Sequence, residues 1–257
     1  MRLSPTIHLL ASGDAGISLT DGYDCNCWLI ETADGGVLFD AGAGRESSAI
    51  LAELAAAGHD PAFLRHIFLT HAHADHSGGV APLLDAGLSE ITLHAGRETA
   101  ARMASDDERR ISLDTARRFG VYPQSYQWRG VMVADVLADR EQRTIGGVVI
   151  EHVATPGHSA DHSAYLVTVG DNRILIAGDA VFAGGTILLQ DIPDCDVRAA
   201  LESLRLLDSL DFETFLPGHG LFAMRAGRRH VTRAADSARR GLVPPSPLMT
   251  SLTAPAD

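Results

Sequence analysis

The apolar run Ile67-Phe68-Leu69 leads directly into Thr70-His71-Ala72-His73-Ala74-Asp75-His76-Ser77-Gly78-Gly79, which packs three imidazoles and a carboxylate into six residues. A strand ending in such a cluster delivers its donors on a loop at a sheet edge, held by a rigid scaffold and reachable by solvent. Imidazole nitrogens mixed with a carboxylate oxygen suit zinc and, less exclusively, iron or manganese. Gly78-Gly79 permits a sharp turn, and residues 80–84 read as the start of a helix behind it.

Hydrophobic periodicity places the remaining elements. Residues 7–10, 27–31, 37–40, 66–69 and 91–94 read as strands, with Ala33-Asp34-Gly35-Gly36 as a hairpin turn. A helix is expected over 47–57, where Ile50, Leu51 and Leu54 make one apolar stripe and Gly58 ends it. Residues 96–120 are charged and helix-like, either a solvated face or a lid. Tyr122, Tyr126 and Trp128 follow, suited to lining an apolar slot or to core packing. Downstream, residues 148–153 form a strand, 163–169 and 173–177 a hairpin around Gly170-Asp171-Asn172, 197–207 an amphipathic helix, 215–216 a short strand and 225–240 a basic helix. Strands alternating with helices indicate layered α/β packing rather than an all-β sandwich. The chain of 257 residues suits one domain over 1–240, followed by an extended tail over 241–257 that begins with Val243-Pro244-Pro245-Ser246-Pro247.

A net charge of −12 argues against a broad phosphate-binding surface, so nucleic acid is disfavoured as a partner. No apolar run reaches membrane-spanning length and no signal segment is evident, giving the expectation of a cytoplasmic protein with no membrane partner. Cys25 and Cys27 are too close in sequence for an unstrained bridge and, with Cys195, make an odd count. They read as small packing residues beside the site.

Four segments in order carry a family resemblance: the His71–His76 cluster, Thr155-Pro156-Gly157-His158, Gly178-Asp179-Ala180 and Pro217-Gly218-His219-Gly220. Together they resemble the metallo-β-lactamase superfamily of metal-dependent hydrolases. Asn26 through Ile30 and Leu38 through Gly42 are similar to that family's opening strands. The resemblance implies a four-layer αββα sandwich of two mixed β-sheets flanked by helices. It also implies two Zn²⁺ ions (iron or manganese being alternatives), one held by His71, His73 and His158, the other by Asp75, His76 and His219, with Asp179 bridging. Asp40 would orient a ligand histidine through its free ring N–H. Asp75 would also move a proton, and His162 would contact substrate or orient a ligand.

On this reading a hydroxide between the ions attacks the carbonyl of a small ester, thioester or lactone. The stretch from Gly178 to Gly185 resembles hydroxyacylglutathione hydrolases of the glyoxalase II type, although Thr186-Ile187-Leu188-Leu189-Gln190-Asp191 departs from their continuation. Gly157-His158-Ser159-Ala160-Asp161-His162 is similar to acyl-homoserine lactonases, yet Phe182 stands where those enzymes carry a tyrosine that binds the oxyanion. The alternatives are a mononuclear iron persulfide dioxygenase, an RNA-processing nuclease and a non-enzymatic metal-loaded ligand-binding protein. The partner expected is a small-molecule substrate, with homo-oligomerisation left open.

Overall fold

The computed structural model describes residues 1–247. Two mixed sheets stack face to face. The first runs β1 (Ile7–Ala11), β2 (Cys27–Thr32), β3 (Gly35–Phe39), β4 (Leu64–Leu69), β5 (Thr92–Gly96) and β6 (Asp135–Leu137) in spatial order, antiparallel across the first three strands and parallel thereafter. The second contains β7 (Gln142–Ile145), β8 (Val148–Ala154), β9 (Ser163–Val169), β10 (Asn172–Gly178) and β11 (Thr214–Pro217). It is antiparallel except where β11 joins β10.

Period-2 alternation builds the layers. Trp28, Ile30, Val37, Phe39 and Phe68 point between the sheets to meet Tyr165, Val167, Ile174 and Ile176. Their neighbours Cys27, Leu29, Leu38, Ile67 and Leu69 point outward. There they pack against α1 (Ser47–Ala56) and α3 (Val80–Asp85). On the far side Leu166, Leu175 and Ala177 pack against α6 (Val197–Asp208) and α7 (Arg228–Arg239). Three separate apolar layers therefore define helix, sheet, sheet and helix, as the sequence led one to expect. Among the described residues no helix is long and apolar enough to cross a membrane.

Three departures matter. The one-turn helix α2 (Ala74–Ser77) sits inside the histidine cluster. The stretch 96–120 is not continuous: α4 (Arg97–Met103) and α5 (Leu113–Arg118) are separated by a 3₁₀ turn and by Ser112 in the left-handed region at φ 57°. Strands β6 and β7 escaped the sequence reading, being short and polar. The expected tail lies outside the described residues beyond 247; before that point Pro245 accepts a backbone hydrogen bond from Ile187.

Phe68 touches Phe39, Tyr165 and His94, with ring centroids 4.1–5.6 Å apart across this cluster. Phe68→Ala should remove about 3–5 kcal/mol of unfolding free energy. Chemical denaturation reads this; a loss well under 1 kcal/mol would mean that the two sheets do not depend on this contact.

Candidate metal centre

All seven donors sit at strand ends or in the loops that leave them. Strand β4 feeds His71 and His73, α2 carries Asp75 and His76, and the loop after β8 carries His158. Asp179 follows β10 and His219 follows β11, so both sheets contribute from the same edge of the sandwich. Two close approaches demand glycine. A Cβ on Gly218 would lie 2.2 Å from Asp179 Oδ1 and 2.7 Å from His76 Cε1. Gly178, at φ 48°, would meet His162 Nε2 at 2.5 Å.

A partner on the outer nitrogen of His71, His76 and His158 fixes which nitrogen faces inward, whereas His219 Nδ1 makes no hydrogen bond among the described residues. His76 Nδ1–H donates to Asp40 Oδ2 at 2.8 Å. Thr70 Oγ1 donates to Asp40 and stands 3.0 Å from His71 Nδ1, whose proton it accepts. His158 Nδ1–H donates to the Leu188 carbonyl at 3.1 Å. His73 turns Nε2 toward Asp194, 3.6 Å away. Asp40 thus orients His76, as expected, from a backbone in the left-handed region at φ 60°. Its other oxygen takes the Thr70 N–H at 2.8 Å.

The inward atoms crowd one another. His73 Nδ1 and His158 Nε2 are 3.1 Å apart. His219 Nε2 lies 3.0 Å from Asp75 Oδ2 and 3.5 Å from Asp179 Oδ2, which is itself 3.5 Å from His158 Nε2. His76 Nε2 is 3.4 Å from Asp179 Oδ1. Two groups of three donors, His71–His73–His158 and Asp75–His76–His219, each gather their donor atoms within 4.8 Å, and Asp179 touches both. His71 Nε2, His76 Nε2 and Asp179 Oδ1 are buried and make no hydrogen bond. Leaving such atoms unpaired costs about 1–3 kcal/mol each. Burial, reinforced by neighbouring His76, holds His71 well below the usual histidine range and so leaves it a neutral donor. Burial works against ionisation of Asp179, but the His219 and His76 imidazoles outweigh it and hold that carboxyl well below its usual range. Burial opposes charge on His73, His76 and His219, but neighbouring anionic groups outweigh it and raise all three. A divalent ion would replace the protons those rings attract, so this mixture of imidazoles, ionised carboxylates and orphaned inward atoms fits metal ions.

His162 also lies here, but both its ring nitrogens are occupied. Nε2 accepts the Asp179 N–H at 2.9 Å, and Nδ1 pairs with Thr155 Oγ1 at 2.8 Å. Burial, with His158 nearby, lowers its pKa to about 3. It offers no free nitrogen to a ligand and instead fixes the main chain at Asp179. Tyr165 is equally committed, its hydroxyl donating to the Leu69 carbonyl at 2.7 Å. Tyr126 and Trp128 donate to the Ala43 carbonyl and to Ser77 Oγ, bracing α2 from behind. Cys25 and Cys27 are buried in the core, 3.7 Å apart, and burial pushes both thiols up. They serve as packing residues.

Around the donors lies an outer network that the sequence motifs do not announce. Asp161 accepts the Ala72 N–H at 2.9 Å and the Ser159 hydroxyl at 2.8 Å, holding the ligand loop against the His158 loop. Arg102 on α4 bonds Asp194 at 2.7 Å and approaches Asp161 at 3.5 Å. Asp161 lies within a motif already noted, whereas nothing local marks Asp194 or Arg102. Beside the donors opens a cleft of about 390 Å³. Its walls include His73, Asp75, Ile111, Leu113, Phe119, Tyr122, Leu188 and Gln190. The segment 96–120 therefore covers the site as well as facing solvent.

The profile of the metallo-beta-lactamase superfamily matches residues 20–219. The chain is 28% identical over 220 residues to the lactamase-like protein vrtG of Penicillium aethiopicum, covering 85% of this chain and 58% of that protein. It is 25% identical over 224 residues to an atrochrysone carboxyl ACP thioesterase of Aspergillus fumigatus, covering 85% and 57%. The chain thus spans under three fifths of the length of these two relatives. A metallo-beta-lactamase family protein from Thermus thermophilus superposes with a TM-score of 0.70 at 20% identity, covering 93% of this chain and 81% of the other, a likeness of fold.

Gly218→Ala should press its methyl group on Asp179 and His76 and lower bound metal per chain, read by elemental analysis after zinc equilibration. Unchanged metal content would show that the site tolerates displacement of Asp179.

Proposed function

We propose that this chain, which belongs to the metallo-beta-lactamase superfamily, is a dinuclear zinc-dependent hydrolase of small esters, thioesters or lactones, with thioesters of apolar acids favoured. The observation that carries the reading is the division of seven donors into two trios sharing Asp179, beside a largely apolar cleft that His73 and Asp75 line. The thioesterase name borne by relatives adds support for a thioester.

His71, His73 and His158 would hold one ion, Asp75, His76 and His219 the other, and Asp179 would span both. When bound, such a pair polarises a carbonyl oxygen and lowers the pKa of water from 15.7 toward about 7. The chain's own side chains do the rest. Ile111, Leu113, Phe119 and Leu188 receive the acyl group and exclude water from it. Among the seven donors, Asp75, whose side chain is 24% exposed, is the carboxylate that lines the cleft. It takes the proton of the attacking water and passes it to the departing thiolate or alkoxide.

Tyr122 supplies the donor that Phe182 cannot. Its ring lines the cleft, stacked between Tyr23 and Tyr126 at centroid distances of 5.2 and 4.8 Å. Burial, with Asp75 adding to it, pushes its pKa well up, so the phenol stays protonated and able to donate to the carbonyl oxygen as charge develops there. His162 acts as a positioning residue by holding the backbone of Asp179.

A series of acyl thioesters of increasing chain length, with matching lactones, tests this in zinc-loaded protein. The second-order rate should rise with acyl length until the cleft is filled. Tyr122→Phe should lower kcat about 10²-fold while KM changes little. Absence of turnover on every ester, thioester and lactone tried would overturn the hydrolase reading. Unchanged kcat in Tyr122→Phe would remove only the donor.

A further inference from the structure

On the opposite, helix-covered face of the first sheet, three more potential ligands converge. His8 comes from β1, Glu31 from β2, and His59 from the loop that leaves α1. His8 Nε2 lies 2.6 Å and His59 Nε2 2.9 Å from the same oxygen, Glu31 Oε1, and the three donor atoms all fall within 4.8 Å of one another. None of these residues lines the cleft beside the seven-donor centre.

We propose that His8, Glu31 and His59 form a separate binding site for a divalent transition-metal ion such as zinc. Two imidazole nitrogens with one carboxylate oxygen select zinc, nickel, copper or cobalt over magnesium or calcium, which take oxygen ligands. The rings are held ready. His8 is 1% exposed, fixed in the strand with Nε2 aimed at the carboxylate. His59 lies flat on Phe63, with centroids 3.7 Å apart and planes 8° from parallel. Glu31 and His59 keep 25% and 20% exposure, so the remaining coordination position opens to solvent for a water molecule. Zinc with bonds of about 2.0–2.1 Å places tetrahedral ligands about 3.3 Å apart, so the Glu31 oxygen would withdraw ~0.5 Å from the two nitrogens, which themselves lie within 4.8 Å of each other.

The competing arrangement is a carboxylate that merely accepts an N–H from each imidazole. It requires both rings to carry their proton on Nε2 and to lean on one oxygen, and it binds no ion. The two differ in metal content. A bound ion would tie β1 and β2 to the loop after α1, stabilising that corner by mass action without touching the cleft.

The test equilibrates the whole protein with zinc buffered at micromolar free concentration and measures metal per chain by elemental analysis. His59→Ala and Glu31→Gln should each hold one zinc fewer than wild type, with hydrolytic rates unchanged and zinc-dependent stabilisation reduced. Because the reading is a difference, it stands whatever the occupancy of the seven-donor centre. Glu31→Gln keeps the volume and the ability to accept hydrogen bonds, so it decides the matter if His59→Ala folds poorly. Equal zinc content in wild type and Glu31→Gln overturns the site and leaves a hydrogen-bonded carboxylate in its place.

Discussion

The centre depends on a simple constraint: an imidazole has two nitrogens, and tying one down aims the other. Asp40 and Thr70 hold His76 and His71, the Leu188 carbonyl holds His158, and Asp194 faces the outer edge of His73. The inward lone pairs are then fixed by covalent geometry, and their mutual crowding calls for a shared positive charge. Without the outer partners the same side chains could swing away, and seven polar groups would have no reason to share one small volume.

The sandwich makes this convergence possible. Parallel pairing of β3 with β4 and of β10 with β11 brings strand ends from both sheets to one edge, where loops replace regular hydrogen bonding. The aromatic layer around Phe68 and Tyr165 sets the separation of the sheets, and the Tyr165 hydroxyl reaches the carbonyl of Leu69 one residue before the ligand loop begins. Packing and site are thus joined through buried hydrogen bonds, this one and the bond from Trp28 Nε1–H to the Pro217 carbonyl at 3.0 Å. Close approaches at Gly178 and Gly218 complete the joint, since a side chain would press on His162 and Thr70 at the first and on Asp179 and His76 at the second.

Much of this was legible in the chain. Strands β2, β3, β4, β9 and β10 alternate between two apolar faces, a pattern that burial on both sides of a sheet imposes directly on sequence. The His71–His76 cluster stood out by its own composition at the end of β4, whereas His158, Asp179 and His219 were marked only by the family resemblance of their short motifs. Strands β6 and β7 were not, since Asp-Val-Leu and Gln-Arg-Thr-Ile draw their strand character from neighbours rather than from their own composition. Ser112 breaks the charged stretch between residues 96 and 120 through a backbone angle that composition does not announce. Asp194 and Arg102 meet His73 and Asp161 only after folding, so no spacing rule could pair them. His162 illustrates another limit: its place in the motif left substrate contact and the orienting of a ligand both open, and only the folded chain shows its two ring nitrogens engaged by Thr155 and by the Asp179 N–H.

Anomalous diffraction at the zinc edge from crystals of zinc-equilibrated protein tests the central claim most directly. Two peaks are expected beside the cleft, one among His71, His73 and His158 and the other among Asp75, His76 and His219, with Asp179 in contact with both. A single peak there, or two peaks with Asp179 turned away from either, would contradict it.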